Sequence, residues 1–140
     1  MKNPADSNFS RLTGAFILFL ILGLSTSLWA YEHRSSNANS VQVDVVPVQL
    51  SPGQAAKFEI RMNTHSVPLN YDMVAVSFIK DDLGREYRPL AWNGSPSGGH
   101  HRSGILEFPN IPEGTGSITL YIKSIADVPE RSFEWKLEGK

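Results

Sequence analysis

The sequence predicts an all-β protein: an antiparallel immunoglobulin-like β-sandwich of about seven strands, preceded by one N-terminal transmembrane helix. Three observations predict it. From Val41 onward, apolar residues recur at every second position in short runs, the signature of half-buried strands. Turn residues interrupt those runs at fairly even intervals, with no helical periodicity between them. Ahead of them, Gly14 to Tyr31 is densely apolar and carries no charge over 18 residues, where a membrane-spanning helix needs roughly 17 to 25.

The N-terminal elements follow from charge. Lys2, Arg11 and the terminal amine precede the apolar run, and Arg34 is the only strong cation soon after it. The positive-inside rule then places residues 1–13 in the cytoplasm and makes 14–31 a signal anchor. Trp29 and Tyr31 fit an aromatic belt at the outer interface. The competing reading is a cleaved signal peptide, with an apolar core from Ala15 to Leu24 and small residues at Ser25 and Ser27. Either reading exports the C-terminal domain, so the expected location is the cytoplasmic or inner membrane, single-pass, with the domain facing the periplasm or cell exterior. Residues 32–40, "EHRSSNANS", read as a flexible spacer, and 41–140 as the extracytoplasmic sandwich domain.

Within that domain "KFEIRMN" alternates Phe58, Ile60 and Met62 with charged and polar residues. "SITLYIK" does the same through Ile118, Leu120 and Ile122, and "RSFEWKL" through Phe133, Trp135 and Leu137. "VQVDVVPVQL" changes parity near Pro47, which predicts an edge strand with a bulge or a switch between sheets, because proline donates no ladder bond. "MVAVSFIKDDLGREYRPLAW" reads as a hairpin, with Val74, Val76 and Phe78 on one face and Asp81, Asp82 and Gly84 at the turn. "GILEFPN" supplies a further short strand. The expected core unites Phe58, Ile60, Val76, Phe78, Leu120, Ile122, Phe133 and Trp135.

Composition narrows function by exclusion. A net charge of −1 from 13 basic and 14 acidic residues, without long runs, offers no nucleic-acid footprint. The absence of cysteine removes disulfides, zinc-thiolate sites, thiol nucleophiles and a lipid-anchored cysteine. "GTGS" at Gly114 lacks the third glycine and the helix of a phosphate loop. "NGSPSGG" lacks a nucleophile elbow, and "DDLGREY" lacks the alternating ligands of a calcium loop. No paired carboxylates or cofactor fingerprint argue for an enzyme, and the chain is expected not to be one.

The chemistry-bearing candidates are histidines. His65 ends the Phe58 to Met62 strand on its wet side, and "GGHHR" places His100 and His101 in a glycine-rich loop. A sandwich gathers its loops at two ends, so the three imidazoles are expected to meet. Adjacent side chains of an extended backbone point opposite ways, so convergence needs a bend, which Gly98 and Gly99 allow. Asp72 is a candidate carboxylate ligand or the acceptor that fixes a histidine tautomer. Neutral imidazoles with a carboxylate, and no thiolate, suit copper(II), zinc or nickel better than copper(I). The alternative is a structural clasp, in which His65, His100, His101, Arg102 and Asp72 hydrogen-bond one another and backbone carbonyls to hold the loop, with Arg102 paired to Asp72. His33, in the spacer, is expected to be solvated.

The anchor together with "NTHSVPLNYD", "LAWNGSPSGGHHRSGILEF" and "VPERSFEWKL" resembles an uncharacterised group of prokaryotic membrane-anchored exported proteins with a single immunoglobulin-like β-sandwich domain, over Val41 to Leu137. That resemblance implies location and fold, and it implies no catalytic residue. The expected function is a membrane-tethered binding or accessory domain that handles copper or zinc through His65, His100, His101 and Asp72. In the alternative the chain is a structural partner of a membrane protein complex. A small metal-dependent enzyme would require the same histidines to hold a metal with an open position.

Overall fold

Alternating apolar residues commit the chain to two antiparallel sheets laid face to face. The structure, a computed structural model, describes residues 31–137. In chain order its elements are β1 (Arg34–Ala38), β2 (Val41–Gln49), β3 (Ala55–Thr64), one helical turn α1 (Met73–Val76), β4 (Ser77–Asp81), β5 (Glu86–Tyr87), β6 (Ala91–Gly94), β7 (His101–Asn110), β8 (Ser117–Ile125) and β9 (Val128–Lys136). One sheet has the order β1-β2-β3-β7-β6, the other β5-β4-β8-β9. Among the described residues no helix is long and apolar enough to cross a membrane. The expected helix, apart from Tyr31, lies outside the described residues.

The three clearest alternations behave as expected. Phe58, Ile60 and Met62 on β3 and Ile118, Leu120 and Ile122 on β8 are fully buried, and Phe133, Trp135 and Leu137 are nearly so. The two layers are joined through aromatic rings. Phe58 meets Phe108 edge-on at 5.8 Å and Trp135 across the sandwich at 5.3 Å. Such contacts stabilise by about 0.5–1.5 kcal/mol beyond the area they bury. The irregularity expected near Pro47 is a register shift between Pro47 and Gln49. β2 is nonetheless flanked on both sides as far as Val45, where the pairing with β1 ends, and at Pro47 only β3 lies alongside.

Three expectations are corrected. The supposed spacer 32–40 contains β1, which pairs in register from Arg34↔Val45 to Ala38↔Val41. It carries no apolar stripe, and buried groups of the other sheet hold it. Arg131 donates to the Ser36 carbonyl and hydroxyl and to the Ala38 carbonyl, at 3.2, 2.9 and 2.9 Å. The Trp135 indole donates to the Glu32 carbonyl at 2.7 Å. Tyr31 is half-buried against the core. Val74 and Val76 are not on a strand, because Asp72 caps a helical turn there. Phe78 faces outward, since Ser77 and Ile79 pair with the core-facing Ile122 and Leu120 and leave Phe78 opposite Tyr121.

The run after the turn is also divided. β5 pairs with β4 in one sheet, and β6 pairs with β7 in the other, so the chain changes sheets across Arg88 to Leu90. Where β6 meets β7, Gly94 faces Gly104, and a Cβ on Gly94 would lie 2.4 Å from the Gly104 Cα. Only glycine permits that approach.

Candidate functional site

At one end of the sandwich β3 runs out and β7 begins, and this is where the sequence candidates lie. Asn63 pairs with His101, and the next backbone bond runs from the Thr64 N–H to the His100 carbonyl at 3.0 Å. Beyond it the Leu69 N–H donates to the Gly99 carbonyl, and the Gly98 N–H to the Leu69 carbonyl, both at 3.0 Å. Gly98 and Gly99 hold φ of 110° and 73°, the left-handed backbone that the bend requires. Leu69 is thereby driven into the core with no exposure. The Thr64 hydroxyl accepts from the Ser66 and Val67 N–H groups and closes the turn that carries His65.

His65 and His100 therefore do share a sandwich end, and both are exposed. His101 does not join them. It sits on β7, facing outward, with its Nδ1 2.9 Å from the Asn63 side-chain oxygen. Asp72 is engaged elsewhere, its carboxylate accepting from the Val74 and Ala75 N–H groups at 3.0 and 3.3 Å. Among the described residues no three histidine, aspartate or glutamate side chains gather closely enough to share a metal ion.

Arg102 does clasp backbone carbonyls, without the expected pairing to Asp72. Arg102 shares parity with Leu106 and Phe108, so β7 turns it inward, where it is 4% exposed. Its guanidinium donates to the backbone carbonyls of Leu69 at 3.2 Å, Tyr71 at 2.5 Å and Ser95 at 3.3 Å, and it lies over the Trp92 ring at 5.4 Å. Burial lowers the Arg102 pKa, and the nearby Asp72 charge opposes that shift. One side chain thus ties together the 69–71 segment, the Ser95 turn and the β6–β7 edge. The shallow cleft above it, lined by Tyr71, Asp72, Trp92, Ser95 and Arg102, has a volume of about 300 Å³.

His33 is likewise tied, its Nε2 3.3 Å from Asp44. Burial would raise the Asp44 carboxyl, but hydrogen bonds from Gln42 and Ser35 and the His33 charge outweigh it and leave the pKa lowered.

A second cluster escapes motif reading. On the outer face of the four-stranded sheet Phe78 and Tyr121 stack at 4.8 Å with ring planes 10° apart. Lys80, Arg88 and Lys123 hold their charges 5.5, 5.3 and 5.0 Å from the Phe78 ring centre. Its sequence signal is a repeated triplet, Phe78-Ile79-Lys80 and Tyr121-Ile122-Lys123. Antiparallel pairing of Phe78 with Tyr121 sets the rings together and a lysine on either side.

Compared with protein families, curated proteins and solved structures, the chain finds no match.

Proposed function

We propose that this chain is a membrane-tethered extracytoplasmic accessory domain that works by binding a membrane protein partner, and that its fold is immunoglobulin-like. The sheet order supports the fold. Four strands in the order β2-β3-β7-β6 beside β4-β8-β9 follow the two-sheet strand sequence of immunoglobulin domains. The observation that carries the function is the seat of the chain at its entry. Glu32 is bonded to Trp135 and β1 starts at Arg34, so the sandwich follows the apolar run 14–31 with no free linker. A domain fixed in orientation at a bilayer suits presentation of a face to a neighbour in the same membrane.

The test uses the absence of cysteine. Leu83 is 72% exposed at the β4–β5 turn. In the full chain in spheroplasts, Leu83→Cys should react with a membrane-impermeant maleimide, while Ser7→Cys should react only after permeabilisation. Labelling of Ser7→Cys alone, or recovery of the unprocessed chain in the soluble fraction, overturns the assignment.

A second reading, copper or zinc held by His65 and His100, is favoured by one observation. The Thr64–His100 bond brings the two exposed histidines to neighbouring backbone positions.

A further inference from the structure

We infer that the outer face of the β5-β4-β8-β9 sheet docks an acidic segment of a partner protein, through Lys80, Arg88 and Lys123 gathered over the Phe78–Tyr121 ring pair. Phe78 points away from the core, yet it is 3% exposed, because Tyr121 and the cationic side chains cover it. The covering is selective. Glu86 lies directly opposite Lys80 across the ladder, but its carboxylate is taken by Arg88 at 2.7 Å. Glu130 lies opposite Lys123. Among the described residues, neither lysine has a carboxylate within 4.0 Å.

Three cations therefore share one ring with a single carboxylate in contact. One face of that ring is occupied by Tyr121, which crowds the like charges on what remains. Ring quadrupoles attract each cation by about 0.5–1 kcal/mol at exposed sites, and the cations repel one another. An incoming carboxylate relieves that repulsion and leaves the ring contacts in place. Tyr121 and Arg88 are of types enriched at interfaces, and the lysines beside them supply a charged rim. The clefts beside Tyr31 and above Arg102 are lined by other side chains. The cluster lies on the outer face of a sheet, along which an extended chain can run.

Orientation favours a protein over a lipid surface. The chain enters beside Gly116 and Leu137, at the end of the sandwich where Tyr31 lines a cleft with Gly53 and Glu113. The cationic face is on the flank of the sandwich, so a tethered domain presents it along the membrane plane. That orientation rests on the tethered reading; the docking chemistry does not.

The experiment takes the full chain in nonionic detergent micelles and follows backbone amide shifts on titration with a short oligoglutamate peptide. Shifts centred on residues 78–80 and 121–123, weakening as salt rises, are expected. The double variant K80Q/K123Q should lower affinity about tenfold with an unchanged melting temperature. K80E/K123E should lose oligoglutamate and gain oligolysine, which separates loss of charge from loss of fold. Undiminished binding by K80Q/K123Q, no binding by the wild type, or shifts that appear only with phosphatidylglycerol vesicles each overturn the inference. Failure of the tether alone shows in the maleimide labelling and leaves these shifts in place.

Discussion

Asp81 shows how one residue read as turn chemistry becomes a buried anchor. Its side chain is fully buried. It accepts from the Leu83 and Arg85 N–H groups, from Arg85 Nε at 2.6 Å and from the Tyr87 hydroxyl at 2.8 Å. Burial would raise its pKa, but the bonds from Tyr87 and Arg85 outweigh that and lower it. A depressed carboxyl stabilises the fold above its unfolded pKa near ~3.9, and that contribution is lost as pH falls through the lower folded value. Asp81→Asn should destabilise at neutral pH by about 2–3 kcal/mol, from weakened charge-assisted bonds. It should also flatten the acid limb of a stability-against-pH curve; an acid limb identical to wild type would remove Asp81 from the account. At the same scale, copper(II) and zinc titrations of the full chain at pH 7.5 and 5.5 decide the histidine question. With His101 on Asn63 and Asp72 on α1, no stoichiometric site that is lost in both His65→Ala and His100→Ala with His101→Ala is expected. A site lost in both variants and weakened at the lower pH, where imidazoles protonate, would establish metal binding instead. That His65 and His100 share an end was legible from loop placement. The direction of each imidazole was not, because it depends on β7 starting at His101, four residues before Ile105, its first apolar side chain. Arg102 was hidden for the same reason, although its parity with Leu106 and Phe108 held the information.

Element by element, legibility follows the apolar stripe. β3, β8 and β9 carry one and are placed correctly from sequence. β1 carries none, and Arg131, which holds its Ser36 and Ala38, is 95 and 93 residues away in the chain. No local pattern reports such contacts. β4 misled for a different reason: Val76 and Phe78 alternate like a strand face, but Asp72 diverts the first half into a helical turn and Ile79 takes the inward position. The β6–β7 edge depends on the facing glycines, with the Trp92 ring 3.0 Å or less from where either Cβ would sit. The obstacle to a Cβ there is largely backbone. Gly94→Ala should force the strands apart and destabilise by about 1–3 kcal/mol, as overpacking does. Chemical denaturation checks it, and a loss below a few tenths of a kcal/mol would mean that the edge opens freely. Gly84→Ala is an instructive contrast: a Cβ there meets nothing, and its cost comes only from the positive φ of 78°.

At the scale of the whole molecule, Trp135 joins the core to the entry of the chain. Its ring packs on Phe58 while its indole N–H holds the Glu32 carbonyl. Trp135→Ala should destabilise by about 3–5 kcal/mol, with thermal unfolding as the measure. A freely mobile spacer would make residues 32–40 the first point of attack by a protease. The structure instead gives that stretch a paired strand, two bonded ends and a buried guanidinium. Trypsin acting on the membrane-bound full chain should therefore spare Arg34, whose backbone pairs with Val45, and should not release a soluble domain before the sandwich itself unfolds. In Trp135→Phe, which keeps most of the ring and loses the indole N–H, the bond to Glu32 goes while the core largely remains. Cleavage at Arg34 should then accelerate with little change in melting temperature. Rapid release from the wild type at Arg34 would restore the flexible-spacer reading of 32–40 and, with it, a domain free to turn on its anchor.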